Sequence, residues 1–229
     1  YNAAADFDDG SCLASPYTSI ADIQIGQETA LFEGVAVLTS GVVTGVFGGR
    51  ATIQDGTGAY SGLWVNESNV ALQVGDAVDV SGTVSENFDL TQLNSPSVTI
   101  LSQGNALPAA EVLSTLDVSA EQWEGVLVQT AGVVEDDALG FGEWSVNDAS
   151  GAVLLDDAGF NAIAAGLTTV GASVQVSGSV DYSFSEFKIQ PRDVNDVLLY
   201  GCTSDAADNY DAAASVDDGS CEFSGTSCT

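Results

Sequence analysis

The chain has 229 residues, with 3 Lys+Arg against 33 Asp+Glu and no His, for a formal charge of −30. So few cations cannot neutralise phosphates or meet an anionic membrane surface, which excludes nucleic acid and such membranes as partners. Hydrophobic residues make up 45% of the chain, enough to fold, and the length suits one large all-β domain or two domains of about 100 residues.

No Met occurs, so a processed or excised piece is expected, any targeting segment having been removed. No apolar run nears the ~20 residues of a bilayer span, so a soluble piece without membrane insertion is expected. The cysteines are Cys12, Cys202, Cys221 and Cys228, all in the flanks, which leaves the middle to fold on packing alone. Terminal cysteines in so acidic a chain point to an oxidising, extracellular or cell-surface setting. Four free thiols in a cytosolic protein are the alternative.

In chain order, residues 1–12 read YNAAADFDDGSC, and residues 210–221 read YDAAASVDDGSC. One offset aligns the two without a gap. The second copy is longer, because GCTSDAADN precedes its Tyr and supplies Cys202. Between these flanks lies another repeat. EGVAVLTSGVV (33–43) matches EGVLVQTAGVV (124–134), and VGDAVDVSGTV (74–84) matches VGASVQVSGSV (170–180). Likewise IQDGTGAYSGLWV (53–65) corresponds to VNDASGAVLLDD (146–157).

Two modules of one fold are therefore predicted in tandem. The organisation is an N-terminal half-repeat over 1–16, a first barrel over 17–105 and a connector over 106–122. A second barrel follows over 123–200, then a C-terminal repeat and the start of a further one over 201–229.

Within each module apolar and polar residues alternate over short runs broken by Gly, Asn and Asp, the period of half-buried antiparallel strands. Val35, Val37, Val78, Val80 and Val84 are expected to share a face. Asp55-Gly56 and Asn147-Asp148 read as turns between strand pairs. Helical stretches are limited to 109–116, 120–123 and 161–165. Five strands with one short helical piece between the third and fourth suit a small closed barrel.

Phrases such as SIADIQ (19–24), GVVTGVF (41–47), IQDGTGAYSGLWV (53–65) and GDAVDVSGTVSE (75–86) resemble OB-fold modules of secreted bacterial proteins, often found beside extracellular endonuclease/exonuclease/phosphatase domains. EQWEGVLV (121–128), FGEWSVND (141–148) and VDYSFSEFKIQPR (180–192) resemble the companion module. The resemblance covers about residues 17–200 and implies a fold, not an activity.

The flanks resemble the short GCT…NY…DDGSC repeats of large secreted and surface proteins of Bacteroidota, regarded as calcium-binding spacers. The expected fold is thus all-β: two tandem small antiparallel OB-like barrels with short Cys/Asp-rich calcium-binding repeat segments at both termini.

Calcium takes 6 to 8 hard oxygen ligands, and clustered Asp with a turn-permitting Gly is a usual supply. Asp217 and Asp218, with Asn209 and Asp211, would converge if a Cys202–Cys221 disulfide folded the segment back, closing a loop of about 20 residues for roughly 3 kcal/mol. Asp8 and Asp9, with Asp6 and Asn2, are the equivalents in the N-terminal copy. The spacing is not that of an EF-hand loop, since Phe7 and Val216 stand where a carboxylate is needed. A solvated acidic turn is the bland alternative.

Catalysis is not expected. Without His there is no ordinary general base near neutrality, and carboxylate pairs such as Asp136-Asp137 and Asp156-Asp157 are commonplace among 33 acids. Trp64, Trp144, Tyr182, Phe184 and Phe187 are candidates to stack on sugar rings, Trp64 and Trp144 foremost, against the plainer use of filling barrel ends and the interface between modules.

Arg50, Lys188 and Arg192 are too scattered for an anion site, and Lys188 and Arg192 are expected near Glu186 and Asp193. Asn66-Glu67-Ser68 is a formal glycosylation sequon.

Cys12 lacks its partner within the first copy, and Cys228-Thr229 repeats the Cys202-Thr203 opening. Pairing Cys228 of one unit with Cys12 of the next would complete a repeat across the junction and build an open-ended array. One long polypeptide of many such periods, or trimmed ends with idle thiols, are the alternatives. The function expected is an extracellular structural unit of a filament, stalk or adhesin, bound to copies of itself. The runner-up is a glycan-binding accessory region of a secreted hydrolase.

Overall fold

The computed structural model describes residues 17–25, 32–66 and 70–224. The candidate residues Asn2, Asp6, Asp8, Asp9, Cys12 and Cys228 and the last two sequon residues lie outside them.

The first module opens with helix α1 (Ile20–Gln24), followed by strands β1 (Ala36–Phe47), β2 (Arg50–Gln54), β3 (Gly62–Val65), β4 (Ala77–Glu86) and β5 (Thr91–Ser102). The strands form a closed barrel in the order β1-β2-β3-β5-β4. All pairings are antiparallel except β3 with β5. Alternation places Val43, Ile53, Leu63, Val65, Val78, Val80 and Leu93 inside, where all are fully buried. Val37 and Val84 join them as expected, whereas Val35 lies just before β1 and is exposed.

Next come β6 (Glu111–Val112), helix α2 (Thr115–Val118), a 3-10 turn (Glu121–Trp123), β7 (Leu127–Gly140), β8 (Glu143–Asn147), β9 (Ala152–Leu155), β10 (Ser173–Ser183) and β11 (Glu186–Gln190). A second 3-10 turn (Val194–Asp196), β12 (Val197–Gly201) and β13 (Val216–Asp217) complete the order. These strands make an eight-stranded sheet, β13-β12-β10-β11-β9-β8-β7-β6, with a further pairing of β7 to β10. Within it β7, β8, β9, β11 and β10 repeat the partner order of the first module, down to the parallel pair β9–β11. Its core holds Val128, Trp144, Val146, Leu155, Val176 and Ile189.

Three local expectations are corrected. Residues 111–112 are a strand, not part of a helix, because Glu111 and Val112 pair in parallel with β7. Between β3 and β4 no helix occurs among the described residues, and between β9 and β10 the expected helical stretch over 161–165 is a single turn, Ala165 N donating to Asn161 O at 3.2 Å; the module helices stand before β1 and β7 instead. Finally, the aligned turns differ in length. Seven residues separate the paired Gln54 and Gly62, and four separate Asn147 and Ala152, so Leu63 structurally matches Val153.

The two helices are built alike. Ser19 and Ser114 cap them, accepting from the backbone N–H of Asp22 and Asp117 and donating to the same two carboxylates. Such a cap satisfies N–H groups that a short helix leaves orphaned. Each first turn is then tied to its own module by an aspartate of the β2–β3 or β8–β9 turn. Ile20 N donates to Asp55 Oδ2 at 3.0 Å, and Thr115 N donates to Asp148 Oδ2 at 3.2 Å.

Candidate functional site

Apart from Arg50, the outward residues of β2 and β3 are buried as thoroughly as the inward ones. The reason is the joint: β10 and the chain entering β7 lie across that face. Thr52 Oγ1 and Ser179 Oγ share a hydrogen bond of 2.8 Å, and Leu127 N donates to Gln54 Oε1 at 2.8 Å. Trp64 Nε1 donates to Val180 O at 3.0 Å. Trp64 packs with Phe47, Leu90 and Tyr182 in a small core of their own, the Phe47 ring centroid standing 5.2 Å away.

Two glycines permit this approach. A Cβ on Gly62 would stand 2.1 Å from the carbonyl carbon of Gly125, and Gly125 itself has φ +70 with Leu63 N 2.7 Å from its would-be Cβ. Any side chain there would push the modules apart.

The cations are spent on structure. Arg50 lies over the Trp64 ring, 4.1 Å from its centroid, and bonds Asp181 at 3.1 Å across the joint. Arg192 pairs with Asp196 at 2.6 Å and donates to Thr44 O at 3.1 Å. Lys188 pairs with Glu143. Asp193 stands near Arg192 as expected and, after the Asp196 hydrogen bond, helps hold its guanidinium above its ordinary value, but the ion-pair partners are Glu143 and Asp196 and not Glu186 and Asp193.

Acids also gather at the joint. Glu124 is 1% exposed; its Oε1 accepts from Thr91 N of the first module at 2.8 Å, and its Oε2 has no partner among the described residues. Burial, then the charge of Glu121, pushes its carboxyl well above the ordinary range. Burial, aided by Glu86 and Asp89, pushes Glu121 up to about 7. Glu86, which accepts from Thr91 Oγ1 at 2.6 Å, is raised chiefly by burial. Asp181 is raised by burial, against the lowering effect of Arg50.

Beside the joint the β4–β5 and β10–β11 hairpins each carry a phenylalanine at the tip, in the left-handed backbone region: Phe88 at φ 54 and Phe184 at φ 55. The following residues, Asp89 and Ser185, are left-handed too. Phe88 is 86% exposed and Phe184 93%. The two tips occupy matching places in the two modules and line one groove of about 360 Å³, with Arg50, Leu90 and Tyr182 also in its wall. Phe184 is among the residues expected to stack on sugar rings, and Phe88 is not. The available signal was an aromatic in Asn-Phe-Asp and Ser-Phe-Ser, at turn positions that favour Gly, Asn or Asp.

Trp64 and Trp144, the foremost stacking candidates, are each 1% exposed. Neither presents a face to a ligand: Trp64 anchors the joint and Trp144 fills the second core. Tyr182 belongs to the joint cluster, and Phe187 packs on the second core with its ring 4.7 Å from that of Tyr182. Asn66 is half-buried, and its side-chain amide donates to Asn94 Oδ1 at 3.0 Å.

In the C-terminal repeat Cys202 and Cys221 form the expected disulfide. The acidic side chains there do not converge; among the described residues no three Asp, Glu or Cys groups come together as a metal shell. Asp217, Asp218 and Asp211 each accept a backbone N–H two residues on, from Gly219, Ser220 and Ala213. Asn209 bridges Ser220 O and Glu222 N. In this arrangement their oxygens brace turns.

The chain matches no protein-family model and no curated protein. Among the described residues no helix is long and apolar enough to cross a membrane.

Proposed function

We propose that the chain is an extracellular structural unit: two OB-like barrels locked into one rigid body, with Cys/Asp repeats as connectors to copies of itself in a filament, stalk or adhesin. One observation carries this reading. The disulfide-closed repeat is joined to the second module's sheet, because β12 pairs in parallel with β13, Tyr200 opposite Val216 and Gly201 opposite Asp217. Ser215 N donates to Leu199 O and Asp211 N to Cys202 O, both at 2.9 Å. A load applied at the repeat would thus pass into the second sheet and, through the Trp64 joint, into the first barrel. A flexible tether would pass on tension but not bending or torsion.

The resemblance-based part of the proposal adds a Cys228–Cys12 bond between units and a calcium-dependent connector. The calcium part rests on the duplicated DDGSC sequence and not on the side-chain arrangement. Non-reducing electrophoresis of native material tests the linkage: a ladder that collapses with reductant is expected. A ladder that persists means one continuous polypeptide, and a lone monomer band removes the assembly. Melting with and without millimolar calcium tests the connector, and an unchanged midpoint removes calcium from it.

A further inference from the structure

Phe88 and Phe184 are anomalous in two ways at once. Both rings are almost wholly exposed, and both residues hold a backbone conformation that costs a non-glycine residue about 1–2 kcal/mol. Phe184 has the Lys188 ammonium over its ring, 5.3 Å from the centroid, but neither ring is buried by the fold. Strained positions cluster at ligand clamps among other functional places; Phe141, on the β7–β8 hairpin, is a third exposed left-handed phenylalanine, but Phe88 and Phe184 are the two that line one groove.

The groove wall is mixed in a particular way. Apolar surface comes from the two rings, Leu90 and Tyr182. Asn87, Asp89, Ser183 and Ser185 line the groove with the rings and bring amide, carboxylate and hydroxyl groups to it. At about 360 Å³ the groove is in the usual small-molecule range.

We infer that this inter-module groove binds a neutral saccharide, its C–H faces against Phe88 and Phe184 and its hydroxyls on the Asn87, Asp89, Ser183 and Ser185 side chains. A ligand of that class has an apolar ring face and a rim of hydroxyls, which is the pattern the groove presents. An anionic polymer would meet a chain of charge −30 and is repelled. Arg50, the cation in the wall, is already bonded to Asp181. The site is independent of the assembly reading, since it needs neither the terminal cysteines nor calcium.

The test is an array of neutral hexose and N-acetylhexosamine oligosaccharides probed with the full chain, followed by calorimetric titration of the hits at about millimolar concentration. Saturable binding is expected, weakened about tenfold or more by Phe88→Gly or Phe184→Gly and unchanged by Val112→Ser, an exposed aliphatic position away from the groove. Because glycine is at ease in the left-handed region, either glycine variant should keep Tm or raise it by about 2 °C. If a glycine variant loses Tm, the Asn87→Ala/Ser185→Ala double variant, which keeps both rings, must show the same loss of binding. Absence of any saturable binding overturns the inference, as does binding that survives both phenylalanine substitutions. Association with phosphatidylcholine vesicles that disappears in the same variants also overturns it, assigning the tips to a lipid surface.

Discussion

The two modules share their strand partners, their capped entry helix and its aspartate anchor, yet they place their tryptophans in opposite ways. Trp144 sits on the inward face of β8, where the first module has Ala51, and fills its own module's core. Trp64 sits on the outward face of β3 and is buried only because the second module lies against it. A single step along a strand moves a side chain from core to surface. The first module therefore has a second buried face, made of Thr44, Thr52, Gln54 and Trp64, that it cannot bury alone.

The sharpest way to break this contrast is to truncate both rings. Trp64→Ala and Trp144→Ala should each cost about 3–5 kcal/mol, but by different routes. Trp144→Ala should lower the stability of the second module while the joint stays closed. Trp64→Ala should uncouple the modules, so that calorimetry shows two transitions instead of one. A single unchanged transition in the Trp64 variant would show that the joint does not couple the modules.

A smaller effect comes from the acids at the joint. A carboxyl whose folded pKa is raised binds its proton more tightly when folded, so stability is highest at low pH and falls as pH rises. For Glu121 the fall runs from its unfolded value near 4.5 to about 7. Because Glu121 is only partly buried, solvent screening reduces the effect to the order of 1 kcal/mol. Glu121→Gln should therefore raise Tm by about 2–4 °C at pH 8 and not at pH 4. A variant that melts like the parent at pH 8 refutes the role given to this group.

The smallest effect compares the two anchoring aspartates. Asp55 accepts from Ile20 N, whereas Asp148 accepts from Thr115 N and Oγ1 and from Ser150 N and Oγ. Those bonds, led by that of the Ser150 side chain, hold the Asp148 carboxyl below the ordinary range. Stability from it is present at neutral pH and is lost as pH falls through that lowered value. Asp148→Ala should thus lower Tm more than Asp55→Ala at pH 7, and the gap should narrow in acid. Equal losses at both pH values would mean the extra bonds contribute nothing.

Much of the fold was legible because strand alternation is local. Val37, Val78, Val80 and Val84 face inward as the period of two requires, and the repeated EGV and VG phrases precede the same strands in each module. The entry helices were legible in principle, since Ser19-x-x-Asp22 and Ser114-x-x-Asp117 are capping sequences, but helices so short leave almost no apolar period. The candidate groove was not legible. Phe88 and Phe184 are 96 positions apart, and nothing in either hairpin says that the other will stand beside it.

From the sequence alone came the charge and the partners it argues against, the tandem all-β modules, and the Cys202–Cys221 closure that the repeat resemblance implied. Each follows from composition or from residues close along the chain. The tertiary structure decided which face of the first barrel is covered, why Trp64 is an anchor and not a platform, and why Glu124 is buried between modules. It also set two exposed rings across one groove. These depend on how one module seats on the other, and that seating is governed by the Gly62–Gly125 approach and the fit around Trp64, contacts between residues dozens of positions apart.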